Sequence, residues 1–162
     1  MTIIGIDPGI TGAIAAIFDN GGYQVLDIPV MANGKGKSKV KNHVNAAGVL
    51  DILKSIGHAT VYIERVSARP MRDKNNKPVQ GSASTFSLGD TFGCLRGVCA
   101  AAGYPVEFIT PQSWKRHFRL SSDKEQVRAR AIELFPSAPL GRKRDHNRAE
   151  ALLIAKYGLE TA

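Results

Sequence analysis

The stretch IIGIDPGITGAIAAIF, residues 3–18, decides how this chain begins to fold. Two runs of apolar residues flank the turn-forming pair Pro8-Gly9, which predicts two buried strands joined by a tight turn. Residues 20–22 are Asn-Gly-Gly, a strong hairpin signal, and the segment YQVLDIPV then supplies a third strand. The sequence therefore predicts that the fold starts with three antiparallel strands in a row.

The rest of the chain alternates helical and strand patterns. Apolar spacing and end signals predict helices over 44–56, 83–102, 111–117, about 122–135 and 145–159, the fourth opened by the capping-box pair Ser122 and Glu125. ATVYIERV and VEFIT are rich in β-branched residues and predict two more strands. Two basic polar segments, 31–43 and 67–82, predict loops. This order indicates an α/β architecture with a mixed sheet between helices.

Size and charge narrow the class of protein. The chain has 162 residues, which suits one domain over 1–162, and its net charge of +8 favours a polyanionic partner. Nucleic acid fits better than an anionic membrane, since no basic amphipathic helix with an aromatic face is evident. No apolar run is long enough to span a bilayer, and no signal-peptide pattern opens the chain, so we expect a cytoplasmic protein.

Three segments place carboxylates against an apolar background. Asp7 ends the first strand and Glu64 interrupts VYIERV. Asp145 and Glu150 lie at the start of the last helix, in DHNRAEALLIA. Clustered carboxylates need protons or a cation between them, and Mg²⁺ prefers oxygen ligands. Two such ions, about 4 Å apart, activate water and stabilise the leaving oxygen of a phosphodiester, so a basic protein with this cluster fits a metal-dependent nuclease.

Each acid also has a simpler interpretation. Asp7 could form the turn, Glu64 could pair with Arg65, Asp145 could cap the last helix, and Glu150 could face solvent. Positions 146 and 150 share a helix face, whereas 145 and 150 do not. Either His146 joins Glu150 at the metal, or Asp145 lies before the helix and bends inward. Carboxylates suit Mg²⁺ better than imidazole does, which favours Asp145.

Several motifs together resemble the RuvC family of Holliday-junction resolvases, particularly its phage-borne branch. IGIDPGITGAIA is similar to the first family motif, VYIERV to the second and RAEALLIAKYG to the last. FSLGDTFGCLRGVCAAAGYPVEFITPQSWK is similar to the central helix, strand and following lysine. The resemblance implies an RNase H-like fold, a homodimer, and cleavage of four-way DNA junctions with two Mg²⁺ or Mn²⁺ ions per site. It matches Asp7, Glu64 and Glu150 to family acids, and leaves the fourth ligand between Asp145 and His146.

Basic residues supply the rest of the expected site. Lys115 and Lys124 resemble family lysines near the scissile phosphate, where a cation stabilises developing charge; otherwise they are surface lysines. Other basic residues are expected to grip the DNA backbone: Lys35, Lys37, Lys39, Lys41, Arg69, Arg72, Lys74, Lys77, Arg142, Lys143 and Arg144. Phe86 or Met71 would serve as an apolar wedge at the junction, although Phe86 also suits the core.

A stripe of small residues bears on assembly. Gly89, Gly93, Gly97 and Ala101 are spaced four apart in the helix over 83–102, which permits close approach of another helix. The stripe either forms a dimer interface or contacts the sheet of its own chain. Two other functions compatible with the sequence are a nuclease for flaps, forks or three-way junctions, and a junction-binding protein that does not cut.

Overall fold

The fold is built on a five-stranded mixed sheet. The structure, a computed structural model, describes residues 1–32, 42–67, 75 and 81–162. Its strands are β1 (Ile3–Asp7), β2 (Ala13–Ile17), β3 (Tyr23–Asp27), β4 (Val30–Ala32), β5 (Asn42–Val44), β6 (Thr60–Glu64) and β7 (Val106–Ile109). The large sheet has the order β3-β2-β1-β6-β7, in which β1, β2 and β3 pair antiparallel and β1, β6 and β7 pair parallel. This arrangement confirms the predicted α/β class.

Helices cover both faces of this sheet. They are α1 (Ala46–Ile56), α2 (Ser82–Ala101), α3 (Pro111–His117), α4 (Lys124–Leu134) and α5 (His146–Thr161), with a 3₁₀ turn at Lys143–Asp145. On one face, Ile3 packs in a cluster with residues of α3, α4 and α5. On the other face, Ile4 and Ile6 pack in a cluster with residues of α1 and α2. Ile3 and Ile4 belong to different clusters because successive side chains of a strand point to opposite faces of the sheet.

Glycines fix two close approaches around β1. The turn after β1 closes through the Gly12 amide, which donates to the Gly9 carbonyl at 3.0 Å, and a Cβ added at Gly12 would overlap the carbonyl oxygen of Asp7. A Cβ added at Gly5 would overlap the backbone of Ala151 and Ala155 on α5. Helix α5 therefore lies directly against the backbone of β1, which fixes its position relative to the end of that strand.

Some predicted boundaries are wrong. The segment over 31–43 was predicted as a loop, but its ends pair as β4 and β5, and 33–41 lie outside the described residues. Helix α4 begins after Asp123, whose Oδ1 accepts from the Glu125 amide at 2.9 Å, so Asp123 rather than Ser122 is the cap. Asp and Ser are equally good caps, so adjacent candidates are not distinguished by sequence.

The small-residue stripe of α2 does not contact the sheet of its own chain. The buried face of α2 carries Thr91 and Leu95 instead. A Cβ added at Gly89, Gly93 or Gly97 would meet no atom of the described residues within 4 Å. Of the two alternatives for Phe86, a wedge or a core residue, the core placement is wrong, since 76% of the residue is exposed. In the part of the chain that the structure describes, no helix has the length and apolar character to cross a membrane.

Candidate active site

Two predicted acids lie at the carboxyl ends of neighbouring parallel strands. Asp7 ends β1 and Glu64 ends β6, and the residues just before them, Ile6 and Ile63, are register partners. Parallel strands end at the same edge of a sheet, so the two carboxylates lie at one edge. Glu150 comes from the first turns of α5, which the close approach at Gly5 holds against β1. The edge therefore receives acids from three separate segments.

The charges of the other predicted site residues act on Asp7. Only 9% of Asp7 is exposed, and burial is the main reason that its pKa is well above the usual value. The negative charges of Glu150 and Glu64 raise this pKa further. The positive charges of Lys124 and Lys115 lower it. Two acids and two lysines predicted from the sequence are thus close enough to act on Asp7.

A tryptophan holds Glu64 in place. The indole Nε1–H of Trp114 donates to Oε2 of Glu64 at 2.6 Å, and Trp114 is fully buried. Burial raises the pKa of Glu64 most strongly, and the Trp114 hydrogen bond opposes that rise. The charge of Glu150 also raises this pKa, whereas Lys115 lowers it. Glu64 is therefore bonded to Trp114 instead of the Arg65 pairing that the sequence also allowed.

Lys115 links the acids to the helix that carries Trp114. Its Nζ lies 3.8 Å from Oε1 of Glu150 and 5.1 Å from the centre of the Trp114 ring. Side-chain exposure is 22% for Lys115 and 13% for Glu150, so screening by water is reduced. Glu150 thus faces the candidate site and not bulk solvent. Thr110 caps α3 by accepting from the Ser113 amide at 3.2 Å, which orients this short helix after β7.

Asp145 forms its ion pairs with arginines of its own segment. Its Oδ1 accepts from Nη2 of Arg142 at 2.8 Å, and its Oδ2 accepts from the Arg142 backbone amide at 2.8 Å. Arg148 lies 4.0 Å away. The hydrogen bonds from Arg142 are the main reason that the pKa of Asp145 lies below its usual value. This placement argues against an inward turn of Asp145, because its charge is already compensated within its own segment.

His146 adjoins the site through a lysine. Nε2 of His146 lies 3.0 Å from Nζ of Lys124, one of the two cations that act on Asp7. Nδ1 of His146 lies 3.1 Å from the Lys143 carbonyl, so a proton on Nδ1 leaves Nε2 free to accept from Lys124. The start of α5 is also tied to the β1–β2 turn, since the Asn147 amide donates to the Thr11 carbonyl.

The donor chemistry of the site suits a hard divalent cation. Asp7, Glu64 and Glu150 offer carboxylate oxygens, and burial, reinforced by the charge of Glu150, raises the pKa values of Asp7 and Glu64. Over residues 1–32, 42–67, 75 and 81–162, no three His, Cys, Asp or Glu side chains already form a group that could hold a metal ion. Metal binding would therefore require the carboxylates to draw together and Lys115 to yield its contact with Glu150.

The predicted DNA-binding residues fall into two sets. Arg142, Lys143 and Arg144 lie at the 3₁₀ turn before α5, where Arg142 binds Asp145 and Arg144 lines a cleft with His146. The remaining eight lie outside the described residues, as does Met71: Lys35, Lys37, Lys39, Lys41, Arg69, Arg72, Lys74 and Lys77.

Sequence reasoning missed the role of Trp114. The available signal was the only tryptophan of the chain, placed directly before Lys115 in a helix of otherwise polar residues, PQSWKRH. A large aromatic residue in such a short polar helix must be buried, and its N–H then needs a partner.

Comparisons with solved structures agree with this fold. Thermus thermophilus RuvC in complex with Holliday junction substrate aligns with a TM-score of 0.61 and 19% identity, over 96% of this chain and 90% of that chain. A second Thermus thermophilus RuvC structure aligns with a TM-score of 0.57 and 21% identity, over 99% of this chain and 96% of that chain. No protein-family model and no curated protein sequence matches the chain. The chain has the RNase H-like fold of RuvC.

Proposed function

We propose that this protein is a structure-selective endodeoxyribonuclease that resolves four-way DNA junctions with two Mg²⁺ or Mn²⁺ ions. The observation that carries the proposal is the gathering of Asp7, Glu64 and Glu150 at one sheet edge, with Lys115 and Lys124 beside them. The RuvC-like fold supports it, because one similar structure is a complex with Holliday junction substrate. The net charge of +8 supports DNA as the partner.

In this proposal the acids hold metal and the lysines hold the phosphate. Asp7, Glu64 and Glu150 would hold the ions through their carboxylate oxygens. Bound Mg²⁺ supplies an activated water and polarises the phosphoryl oxygens. Lys115 and Lys124 neutralise the charge that develops on the phosphate as the bond breaks. The expected products are a 5′-phosphate and a 3′-hydroxyl.

For the fourth position at the metal we favour His146 over Asp145. Asp145 is held by arginines, whereas His146 faces Lys124 beside the acids. A neutral imidazole is able to bind a divalent ion, so His146 is the better candidate if the site uses a fourth protein ligand. This reverses the preference for Asp145 that its carboxylate chemistry alone suggested.

The proposed protein acts as a homodimer. A four-way junction has approximate two-fold symmetry, and a symmetric dimer presents two equivalent sites to it. The open face of α2 that carries Gly89, Gly93 and Gly97 is the proposed interface, since glycines allow two helices to approach closely. Sedimentation of the free protein as a monomer at high concentration would exclude this assembly.

Cleavage of defined DNA substrates tests the function. The protein is incubated with a synthetic four-way junction, a three-way junction, a flap and a linear duplex, each with and without Mg²⁺. We expect paired, metal-dependent cuts in the four-way junction. Preferential cutting of flaps or three-way junctions would make it a nuclease for other branched DNA, and tight junction binding with no cutting would make it a binding protein. The phage-borne origin, the single domain over 1–162 and the cytoplasmic location stay predictions.

A further inference from the structure

A basic cavity adjoins the candidate active site on the side of Lys115. It has a volume of about 690 Å³ and lies between α3 and the segment that leads into α4, within residues 111–122. Lys115, Arg116 and Arg119 line it, and none of its described lining residues is a carboxylate. Lys115 is shared with Glu150, so Arg116 and Arg119 are the two cations of this cavity that would attract an anion.

Two of these cations are not engaged by the protein. By contrast, most arginines from α4 to α5 pair with carboxylates, namely Arg128, Arg130, Arg142 and Arg148. Within the described ranges, the side chains of Arg116 and Arg119 make no hydrogen bond or ion pair with the protein. Each guanidinium therefore keeps its donors available for a ligand such as a phosphate, which it binds in a planar fork.

The backbone holds Arg119 at a position where folding favours glycine. Its φ is 56°, the only positive φ of a non-glycine residue in the described chain. The Arg119 amide donates to the Arg116 carbonyl at 3.0 Å, and the Leu120 amide donates to the Lys115 carbonyl at 2.8 Å. These two bonds form a Schellman motif, whose left-handed position is usually glycine. An arginine at this position costs stability and places a cation at the cavity. A role for that cation in binding an anion would account for the cost.

We propose that Arg116 and Arg119 form a subsite for a backbone phosphate of the DNA strand, next to the phosphate that is cut. The inference rests on the proposed function, since it takes DNA as the ligand. Lys115 joins the two sites, because it lines the cavity and also lies 3.8 Å from Glu150. In this proposal, a strand whose scissile phosphate lies over the acids continues past Lys115 and brings a neighbouring phosphate to the cavity. The subsite thus orients the strand and takes no part in the chemical step.

The salt dependence of DNA binding tests the subsite. Binding of a synthetic four-way junction is measured in EDTA between 50 and 200 mM salt for wild type, Arg116→Ala, Arg119→Gly and the double variant. Each lost phosphate contact should reduce the slope of log K against log salt by about 1, and the double variant by about 2. Arg130→Ala is the matched control, because it removes the same charge from a residue paired with Glu133. Its slope should equal that of wild type.

Arg119→Gly separates binding from folding. Glycine relieves the left-handed backbone, so the melting temperature should stay level or rise by about 2–4 °C while DNA affinity falls. Slopes for Arg116→Ala and Arg119→Gly that match Arg130→Ala would overturn the subsite even if cleavage is normal. Altered slopes in a protein that cuts no DNA would retain a DNA phosphate site at Arg116 and Arg119 and overturn the proposed nuclease, so the two failures are distinguishable.

Discussion

Asp7 and Asp145 are both buried carboxylates, yet their surroundings move their pKa values in opposite directions. The exposed fraction is 9% for Asp7 and 4% for Asp145. Burial and two neighbouring acids, Glu150 and Glu64, raise the pKa of Asp7. Hydrogen bonds from Arg142 lower the pKa of Asp145. Burial alone therefore does not identify a candidate metal-binding acid, and the sign of the surrounding charge is what separates Asp7 from Asp145.

The two acids also have opposite effects on stability. A raised pKa means that the charged form of Asp7 is disfavoured by folding, so this residue destabilises the metal-free protein at neutral pH, and the penalty is relieved as pH falls through its folded pKa. A lowered pKa means that charged Asp145 stabilises the fold above its unfolded pKa, and this contribution is lost as pH falls through its folded pKa.

The largest effect is expected for Asp7→Asn. Loss of the central carboxylate should lower the rate of junction cleavage about 10³-fold or more, because several kcal/mol of metal-dependent stabilisation are lost. The same change removes repulsion from Glu150 and Glu64, so the metal-free variant should melt at a higher temperature than wild type at pH 7. Cleavage assays and thermal melts in EDTA measure the two effects. Undiminished cutting would remove Asp7 from the site.

Lys115→Ala should have the next largest effect. Loss of one preorganised charge at a reacting phosphate costs about 10²–10³ in rate. Lys115 also lowers the pKa values of Asp7 and Glu64, so its loss should move the acid limb of the pH–rate profile to higher pH. Lys156→Ala is the control, because Lys156 pairs with Glu160 elsewhere on α5. An acid limb that stays in place would show that Lys115 does not act on these carboxylates.

Trp114→Phe should have an intermediate effect on metal binding. The variant keeps an aromatic ring but loses the hydrogen bond to Glu64, and loss of such a supporting bond weakens metal affinity about 10–100-fold.

Wild type also carries its own reporter of metal binding, since Trp114 is its only tryptophan. Titration with Mn²⁺ should change the tryptophan emission of wild type and leave that of Glu64→Gln unchanged. Constant wild-type emission at Mn²⁺ concentrations that support cleavage would contradict metal binding at Glu64.

Asp145→Asn should have the smallest effect, and on stability instead of catalysis. It weakens the bonds from Arg142 and leaves Arg148 with less compensation, which should lower the free energy of unfolding by about 1 kcal/mol because Arg142 is exposed and screened. Cleavage below the melting temperature should stay within about threefold of wild type. Chemical denaturation and initial rates measure these outcomes. A rate loss comparable to that of Asp7→Asn would return Asp145 to the metal.

The α/β class and the positions of Asp7, Glu64 and Glu150 at element ends were accessible from sequence because they depend on local patterns, whereas the RNase H-like fold was implied by the resemblance to RuvC. Strand periodicity places Asp7 and Glu64 at strand ends, and the parallel pairing of β1 and β6 brings those ends together. Helical spacing places Glu150 near the start of α5. Each inference needs only the period of the element and the direction of its neighbour.

The remaining features depend on side-chain geometry that no local pattern fixes. The spacing of Asp145 suits a metal ligand as well as a partner for Arg142, and only the bend of the chain before α5 decides between them. The open face of α2 at Gly89 was equally undetermined, since small residues favour close contact without specifying the partner. Trp114 bonds a residue fifty positions away, which a single sequence does not reveal.

The contact at Gly5 has a consequence for how this molecule tolerates change. Main-chain atoms of α5 contact main-chain atoms of β1. The distance between the helix that carries Glu150 and the strand that carries Asp7 therefore does not depend on a side-chain conformation at this contact. Repacking of side chains elsewhere in the core therefore leaves that span alone. The same contact leaves no room for a small change: even one Cβ at position 5 would displace α5 from β1, so the distance between the elements that carry the acids would change abruptly and not gradually.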